Sequence, residues 1–396
     1  MKSIWPTTKL KDVTSFLKDG THFSPASKDG PFRYVTSKNI RTGRMSLSDC
    51  SFISAEDHRR IYGGCPVKFG DVLLTKDGAS VGNVCLNELE EEISLLSSVA
   101  AIRGKDGVLD NGFLLQFFLS PLGQSAIAAE VAGQAITRVT LTAIGQFQIP
   151  LPPLPEQKRI AAILTEWDRA IELTENLIAG KQQRKDALMQ RLLMGKVRLP
   201  GFRDTHWKAC ELGDVASNSA RRIGTTTPPP VYSVTNSVGM VPMDESVVGA
   251  SIDRYKAVAK YDFAYNPMRI NVGSIAMWEG DGEVLVSPDY VVFRCGPDLD
   301  PEFLNHYRTS HQWDQFVTKA GGGSVRVRIY FSDLAELPLK LPSVEEQKAI
   351  AAVLNTQDCE IRLLQRKLDA LRRQKKGLMQ QLLTGRVRVR VESVGN

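Results

Sequence analysis

The chain has 396 residues, a length typical of two or three domains that each bury a core. Hydrophobic residues make up 42% of it and charged residues 24%, as in ordinary globular proteins, and no run of about 18 apolar residues indicates a membrane span. The net charge of +6 is concentrated in two segments, with +3 over residues 156–199 and +7 over 346–390, so bulk charge alone does not identify a nucleic-acid-binding protein.

The first residues and the cysteines indicate a reducing compartment. The start, MKSIWPTTKLKDV, has no apolar stretch of the signal-peptide type. The six cysteines are widely spaced and include no Cys-x-x-Cys pair: Cys50, Cys65, Cys85, Cys210, Cys295 and Cys359. We therefore predict reduced thiols and a cytoplasmic location, with neither a zinc finger nor another metal site.

Residues 1–150 have the pattern of a mixed domain. Residues 31–40 (PFRYVTSKNI) and 70–75 (GDVLLT) are rich in strand-forming residues and are bounded by Gly, Asp and Pro. Residues 113–132 have a helical pattern. We predict a first domain of strands and helices over 1–150, with a proline-rich exit that forms a stiff joint.

Residues 151–199 are predicted to form a long helix. From Ile160 onward the seam positions recur at alternating steps of four and three, a 3.5-residue period typical of a coiled coil. Pro155 suits the first turn of a helix, and Gly195 stands where a left-handed C-cap is expected. A helix of about 40 residues is about 60 Å long. Gly180 interrupts it and is expected to permit a local bend.

The second half of the chain has the same order of elements. Residues 200–340 combine strand-rich and helical patterns, which predicts a second mixed domain. Residues 341–390 are predicted to form a second long helix, which starts at a capping box of Ser343 and Glu346 and ends at Gly385.

The two long helices are copies of one segment. The 44 residues from Glu156 match the 44 residues from Glu346 at a constant offset of 190, and 19 of these positions are identical. Chance gives about 3, so the match is a duplication. The register includes Arg138 and Arg328 and extends back to Phe113 and Phe303, whereas the segments before these share only their edges and differ in length and sequence between them. The order is therefore variable domain, shared helix, variable domain, shared helix.

The short connection after the first helix determines the direction of the second. Only about a dozen residues separate the first helix from the second domain, which continues directly into the second helix. If the helices pair, they are antiparallel, with one domain at each end and an approximate two-fold relation between the halves.

The predicted fold class is α+β, with two mixed α/β domains separated by two long antiparallel coiled-coil helices. The alternative is two separate helices, each buried in a globular core. The predicted seam residues are Ile160, Leu164, Trp167, Ile171, Ile178, Ile350, Leu354, Ile361, Leu364, Leu368 and Leu371.

The duplicated motifs resemble one known family. The stretch IPLPPLPEQKRIAAIL with a helix ending in LMQRLLMGKVR, and its copy LPLKLPSVEEQKAIAAVL to LMQQLLTGRVR, are similar to the specificity (S) subunits of type I restriction–modification systems. DGTHFSP, RYVTSKNI, GDVLLTKDGASVGNV, YNPMRI and VSPDYVVF match as well, so the resemblance covers nearly the whole chain. The second copy departs from the first in having Glu345 where the first has Pro155.

The resemblance implies a division of labour between this chain and its partners. Each variable domain is implied to be a target-recognition domain that reads one half of a bipartite double-stranded DNA sequence. The paired helices are implied to set the spacer and to bind two methyltransferase (M) subunits, and restriction (R) subunits join them for cleavage. Adenine methylation and ATP-driven cutting, with S-adenosylmethionine, ATP and Mg, then belong to those partners, and no cofactor is expected in this chain.

A search for catalytic motifs is consistent with a non-catalytic chain. The sequence has neither a G-x-x-x-x-G-K-[ST] phosphate loop nor a glycine-rich cofactor fingerprint. His306 and His311, the one close histidine pair, fall on different faces of a helix, which favours surface residues over metal ligands. Two other functions stay open: a freestanding bipartite DNA-binding regulator, and an enzyme whose motif is not recognised.

DNA contacts are expected from loop and strand side chains that reach base edges or phosphates. For each candidate the alternative is ordinary polar surface or turn capping. Arg138 and Arg328 are the strongest, because they repeat in register beside glycine-containing loops. The candidates are Thr36, Ser37, Lys38, Asn39, Arg41, Lys76, Ser80, Arg138, Tyr232, Thr235, Asn236, Arg269, Trp278, Arg326 and Arg328. A basic group on the second helix either contacts the DNA backbone over the spacer or forms a solvated face: Arg372, Arg373, Lys375 and Lys376.

The ends of the long helices carry an apolar stripe that is wider than one seam requires. This excess predicts contact with the methyltransferase subunits, although packing against the variable domains explains it equally well. The residues are Leu188, Met189, Leu192, Leu193, Leu378, Met379, Leu382 and Leu383.

Overall fold

The computed structural model of the chain describes residues 4–25, 29–131, 137–222, 229–236, 238–244, 246, 248, 252–320 and 328–390. The chain divides into two compact units, the first formed by Met1–Asn176 with Arg366–Asn396 and the second by Leu177–Gln365. Each unit therefore combines one variable segment with a part of each long helix.

The first unit contains eleven strands and six helices among the described residues, and each set is given in chain order. The strands are β1 (Thr7–Lys9), β2 (Thr14–Asp19), β3 (Phe32–Val35), β4 (Ile40–Arg41), β5 (Arg44–Met45), β6 (Ser51–Ile53), β7 (Val72–Thr75), β8 (Val84–Leu86), β9 (Ser94–Leu95), β10 (Val99–Gly104) and β11 (Gln148–Pro150). The helices are α1 (Leu10–Val13), α2 (Ala55–Gly64), α3 (Asn111–Leu119), α4 (Pro121–Val131), α5 (Leu141–Gln146) and α6 (Leu154–Leu192), the last of which continues into the second unit.

A four-stranded antiparallel sheet in the order β2–β10–β7–β8 forms the centre of the first unit. Both of its faces are buried, which explains the unbroken apolar run of β7. Val72 and Leu74 pack into a core with α3 and α6, whereas Leu73 faces a second core that includes Val35. That second core lies under a smaller sheet, β6–β3–β9, in which β3 and β9 are parallel.

The second unit has its own set of elements. The strands are β12 (Lys208–Glu211), β13 (Ala216–Asn218), β14 (Val231–Thr235), β15 (Gly239–Pro242), β16 (Lys256–Val258), β17 (Phe263–Tyr265), β18 (Ile275–Met277), β19 (Val284–Val286), β20 (Val291–Cys295) and β21 (Pro338–Leu341). The helices are α7 (Leu212–Val215), α8 (Pro301–Tyr307), α9 (His311–Ala320), α10 (Phe331–Ala335) and α11 (Val344–Leu383), the last of which continues into the first unit.

The topology of the first unit recurs in the second. The sheet β13–β20–β17–β18 corresponds to β2–β10–β7–β8, and β14 pairs in parallel with β19 as β3 does with β9. A buried carboxylate precedes the third strand of each sheet, Asp71 in one and Asp262 in the other, and accepts two hydrogen bonds from an arginine of the neighbouring strand. The variable segments thus share a fold, although they share little sequence.

Ion pairs fix the direction of the long helices within each unit. The pairs in the first unit are Glu156–Arg388, Asp168–Lys375 and Glu175–Arg372. The pairs in the second unit are Glu346–Arg198, Asp358–Lys185 and Glu360–Lys181. Residue numbers rise along one helix as they fall along the other, so the helices are antiparallel in each unit, as predicted. The first two pairs of the two units correspond at the offset of 190, so the internal repeat extends to side-chain contacts.

The helix ends follow the predicted signals with one change. Gly195 and Gly385 have φ values of 64° and 76°, the left-handed conformation expected at a C-cap. At the start of α11, the Ser343 Oγ accepts a hydrogen bond from the Glu346 backbone N–H at 3.4 Å. The Glu346 carboxylate binds Arg198 at 2.6–2.7 Å, an ion pair that takes the place of the second half of the predicted capping box.

The predicted helix over 113–132 is divided into α3 and α4, which meet at an angle of 66°. Pro121 lacks a backbone N–H and its ring clashes with the preceding turn, so the helix ends at Leu119. This bent pair passes a length and apolarity test for a membrane span, and no single helix among the described residues does.

The apolar ends of the long helices pack into the cores of the units, which favours packing against the domains over the predicted contact with the methyltransferase subunits. Met189, Leu192 and Leu193 are buried in the second unit, with Leu188 packed against them. Met379, Leu382 and Leu383 are buried in the first unit with Leu378 beside them, so the width of the stripe reflects packing against the domains. The seam residues are all buried or half-buried.

Candidate nucleic-acid interface

Four segments of the first unit meet beyond the strand ends and form what we call the first loop cluster. They are the loop 36–39 after β3, the loop 76–83 after β7, the turn 96–98 and the extended segment 137–139. Backbone hydrogen bonds join them, from Lys76 N–H to the Ser98 carbonyl at 2.8 Å and from Val139 N–H to the Lys76 carbonyl at 2.8 Å. The Ser37 N–H also donates to the Ser98 hydroxyl at 3.4 Å. Loops held on two sheets in this way present side chains from a rigid base.

Charged side chains of the first loop cluster form a chain of ion pairs. The Lys76 ammonium is buried between Asp19 and Asp77, at 3.2 and 3.3 Å. Asp77 also pairs with Arg138, at 2.7 Å from Nε. The Arg138 side chain is 56% exposed, so its guanidinium is oriented by Asp77 and remains accessible. This geometry favours contact with a base or phosphate for Arg138 and a supporting role for Lys76.

Several of the first domain's predicted contact residues shape the loop. Asn39 is buried, and its side chain accepts a hydrogen bond from the Thr36 N–H and donates one to the Ser46 carbonyl, each at 3.0 Å. These bonds favour turn capping for Asn39, the alternative to DNA contact that the sequence leaves open, over a contact with a base. Lys38 is exposed, whereas Thr36, Ser37 and Ser80 are partly buried.

Arg41 lies on a neighbouring hairpin. It is exposed on β4 and lines a cleft of about 640 Å³ with Arg44 and Asn83. The other wall of this cleft carries the α6 carboxylates Asp168, Glu172 and Glu175. Asp168 and Glu175 are paired with Lys375 and Arg372, so Arg41 lies in a mixed-charge cleft beside the first loop cluster.

Three corresponding segments meet in the second unit and form the second loop cluster. They are residues 235, 236 and 238 at the end of β14, the loop 266–274 after β17 and the segment 328–330. Ser274 Oγ donates to the Val234 carbonyl at 2.8 Å, and the Ile329 N–H donates to the Pro267 carbonyl at 3.0 Å. Residue 237 and the predicted contact Arg326 lie outside the described residues.

A cleft of about 800 Å³ opens within the second loop cluster. Three of the predicted contact residues, Thr235, Asn236 and Arg269, line it together. Asn236 and Arg269 are exposed, whereas the Thr235 hydroxyl donates to the Gly239 carbonyl at 3.1 Å and closes the turn. Arginine and asparagine are the side chains best suited to bidentate contacts with guanine and adenine, so the cleft has the donors that base recognition needs.

Tyr232 and Trp278 lie apart from this cleft. Their rings pack edge to face with centroids 5.0 Å apart, against the smaller core of the second unit. Trp278 Nε1 donates to the Gly282 carbonyl at 2.9 Å. These contacts favour a packing role for both residues over the DNA contact predicted from the sequence.

Arg138 and Arg328 hold corresponding positions in the two clusters. Each precedes a buried residue, Val139 or Ile329, on a segment that pairs with the loop after the third strand of the central sheet. Arg328 is exposed and donates to the Tyr330 hydroxyl at 3.4 Å, a bond that raises the pKa of its guanidinium. Arg138 has a carboxylate partner and Arg328 a phenol, so the two positions differ in local charge.

The sequence reading missed the apolar residues and one amide of the second cleft. Met268 and Val272 line it with Asn271, and both apolar side chains are exposed. No sequence signal marked them, because residues 265–273 (YNPMRINVG) and residues 75–83 (TKDGASVGN) share no identical residue at the offset of 190. The two loops correspond only in the structure, where each follows the third strand of its central sheet. No group of three or more metal-ligating side chains occurs among the residues that the structure describes.

Comparison with known proteins identifies the family. The family model for the type I restriction modification DNA specificity domain matches residues 2–180 and 206–373. The MjaVIII type I restriction enzyme specificity subunit of Methanocaldococcus jannaschii is 22% identical over 98% of this chain and 93% of its own length. The EcoKI specificity subunit of Escherichia coli K12 is 22% identical over 49% of this chain and 42% of its own length.

Solved structures share the fold over nearly the full length. The S subunit of a type I restriction–modification system from M. genitalium superposes with a TM-score of 0.62, at 14% identity over 96% of each chain. A chain from a study of complex assembly in the type I restriction–modification system has a TM-score of 0.57, at 19% identity over 97% of this chain and 98% of its own. The chain studied here belongs to the family of type I restriction–modification DNA specificity proteins.

Proposed function

We propose that this chain is the specificity subunit of a type I restriction–modification complex and that each unit reads one half of a bipartite DNA target. The observation that carries the proposal is the pair of loop clusters at corresponding positions of one repeated fold. Their shared position gives both clusters the same relation to the central sheet, and their different side chains give each its own base preference. Two unlike halves of one target follow from this arrangement.

The catalytic work is assigned to partner subunits. Methyltransferase subunits would bind S-adenosylmethionine and methylate adenine, and restriction subunits would use ATP and Mg for cleavage. The naming of relatives as specificity subunits of restriction enzymes supports this assignment. The chain itself would supply positioning on DNA.

The long helices would set the spacer and dock two methyltransferase subunits. Because the apolar helix ends are buried in the cores, docking must use another helix surface. Leu173 on α6 and Leu363 on α11 are 60% and 57% exposed and correspond at the offset of 190. The same exposed leucine occurs once in each unit, which suits two copies of one partner.

The test measures which half of the target depends on which unit. The full chain, with its methyltransferase subunits, selects its target from a random duplex pool, and the selection is repeated with R138A and R328A. R138A is expected to relax preference in one half-site only and R328A in the other only, by about 10- to 100-fold if each contacts a base. The matched control is R59A, an exposed arginine on α2 outside both clusters.

Two results would contradict the proposal. One is a selected pool without two separated half-sites, and the other is an effect of R138A and R328A on the same half-site. Failure of the chain to co-purify with methyltransferase subunits, together with unaided DNA binding, would favour the freestanding regulator.

A further inference from the structure

The cleft of the second loop cluster has apolar side chains at its opening. Met268 is 46% exposed and Val272 is 57% exposed, and both line the cleft with Asn236 and Asn271. Val238, on the neighbouring turn, is 74% exposed. A cluster of large, exposed apolar side chains often marks a binding site, so Met268, Val272 and Val238 indicate that the cleft binds a ligand.

The backbone holds these side chains in place. The Asn266 side chain accepts a hydrogen bond from the Met268 N–H at 3.0 Å, and the Val272 N–H donates to the Arg269 carbonyl at 3.1 Å. Gly273 ends the loop in the left-handed conformation, with φ of 87°. The loop therefore consists of a turn closed by Asn266 and a short 3-10 helix (Ile270–Val272) capped by Gly273, which together hold Met268 and Val272 at the cleft.

The first loop cluster has a different chemistry at the same position. Its corresponding loop, residues 76–83, carries Lys76, Asp77 and Ser80, and its one large apolar residue, Val81, packs against the core. Among the described residues of this loop, none is an exposed large apolar side chain. The apolar opening is thus a property of the second unit alone and not of the shared fold.

We infer that the second cleft reads an A·T base pair through the major groove, with Met268 and Val272 against the thymine C5-methyl group. This inference rests on the proposed function, because it takes DNA as the ligand. The thymine methyl is the only apolar group that a base edge presents in the major groove, and apolar side chains recognise it by contact. Asn236 and Asn271 supply amides that match the donor and acceptor of adenine on the paired base.

The test removes the thymine C5-methyl group from the DNA and, separately, the Met268 and Val272 side chains from the protein. The full chain with its methyltransferase subunits first selects a bipartite target from a random duplex pool. In synthetic duplexes of that target, each thymine of the half-site relaxed by R328A is then replaced singly by deoxyuridine, which lacks only the C5-methyl. At least one replacement is expected to weaken binding about fourfold, the value of one buried methyl group.

The double variant M268A/V272A provides the second arm. It is expected to bind the thymine and deoxyuridine duplexes equally, while deoxyuridine replacements in the other half-site act on it as they do on the wild type. Unchanged effects of deoxyuridine in that other half-site also show that the variant is folded. Together these results would assign the methyl contact to the second cleft.

The failures of the two proposals are distinguishable. If no bipartite target is selected, the proposed function is wrong. If a bipartite target is selected but the second half-site holds no thymine, or tolerates every deoxyuridine, the function stands and the thymine contact is refuted. If M268A/V272A weakens binding to both duplexes by the same factor and so keeps the wild-type preference for thymine over deoxyuridine, the apolar side chains act as a wedge between base steps, which also overturns the inference.

Discussion

At the residue scale, the repeat preserves a small number of buried ion pairs. Glu346 is fully buried and binds Arg198 through both oxygens, and Glu156 binds Arg388 in the corresponding place. A buried carboxylate without its partner is costly, so both members of such a pair are required. In each case the arginine also lies over a tryptophan ring, Trp207 or Trp5, which covers the end of the neighbouring long helix.

Replacing Glu346 by Gln should destabilise the protein. The change removes the charge that two hydrogen bonds from Arg198 satisfy, and hydrogen bonds to charged groups contribute about 1.5–3 kcal/mol. We expect a loss of about that size in the free energy of unfolding, measured by urea denaturation. The neighbouring E345Q alters an exposed carboxylate and should lower the denaturation midpoint by much less; equal midpoints for E346Q and the wild type would contradict the role given to the pair.

Thiol reactivity should separate the cysteines by burial. Burial raises the pKa values of Cys65, Cys85 and Cys295 to about 12, because desolvation disfavours the thiolate. The thiolate is the reactive form, so at pH 8 these three should resist iodoacetamide in the folded chain. Cys359, exposed on α11, should be alkylated first. Peptide mass spectrometry after a short exposure measures the order, and rapid labelling of Cys85 in folded protein would contradict it.

At the element scale, the sequence allowed accurate prediction of the long helices and poor prediction of the loops. Helix α6 runs from Leu154 to Leu192 within the predicted 151–199, because the 3.5-residue period and the duplication are local signals. The burial of Lys76 depends on a distant segment of the chain that supplies Asp19, which no local pattern reveals. An apolar stripe on a helix likewise does not specify what it packs against, so the sequence leaves a partner contact and core packing equally open for Leu192 and Leu382, which lie in the cores of the units.

The choice of helix face can be tested with two leucines of α11. Leu354 lies on the seam and is fully buried, whereas Leu363 is 57% exposed. L354A should lower the free energy of unfolding by about 2–5 kcal/mol, because it leaves a cavity in the core of the second unit. L363A should change it by less than about 0.5 kcal/mol. Equal effects in thermal or urea denaturation would show that the seam is assigned to the wrong face.

At the scale of the whole molecule, the duplication accounts for both the sameness and the difference of the two units. The helices and their ion pairs correspond at one offset, whereas the loop clusters carry different side chains on a common topology. The repeated parts were predictable because two copies of a pattern reinforce each other. The base-reading parts were not, because their contacts depend on side-chain placement in a cleft.

The spacer should follow the length of the paired helices. Four residues inserted near Gly180, with a matching insertion between Gln365 and Arg366, lengthen each helix by about 6 Å and nearly preserve the seam. At 3.4 Å per base pair, the distance between half-sites should grow by about two base pairs. Target selection from a random duplex pool measures the spacing, and an unchanged spacer would refute the role of the helices as a ruler.

The most direct test of independent reading is exchange of residues 200–340 for the corresponding domain of another family member, followed by sequencing of the methylated positions in cells that carry the hybrid complex. The account predicts that one half of the methylated target changes to that of the donor while the other half and the spacer are retained. A hybrid that methylates the original target, or one in which both halves change, would contradict the claim that each unit reads its own half.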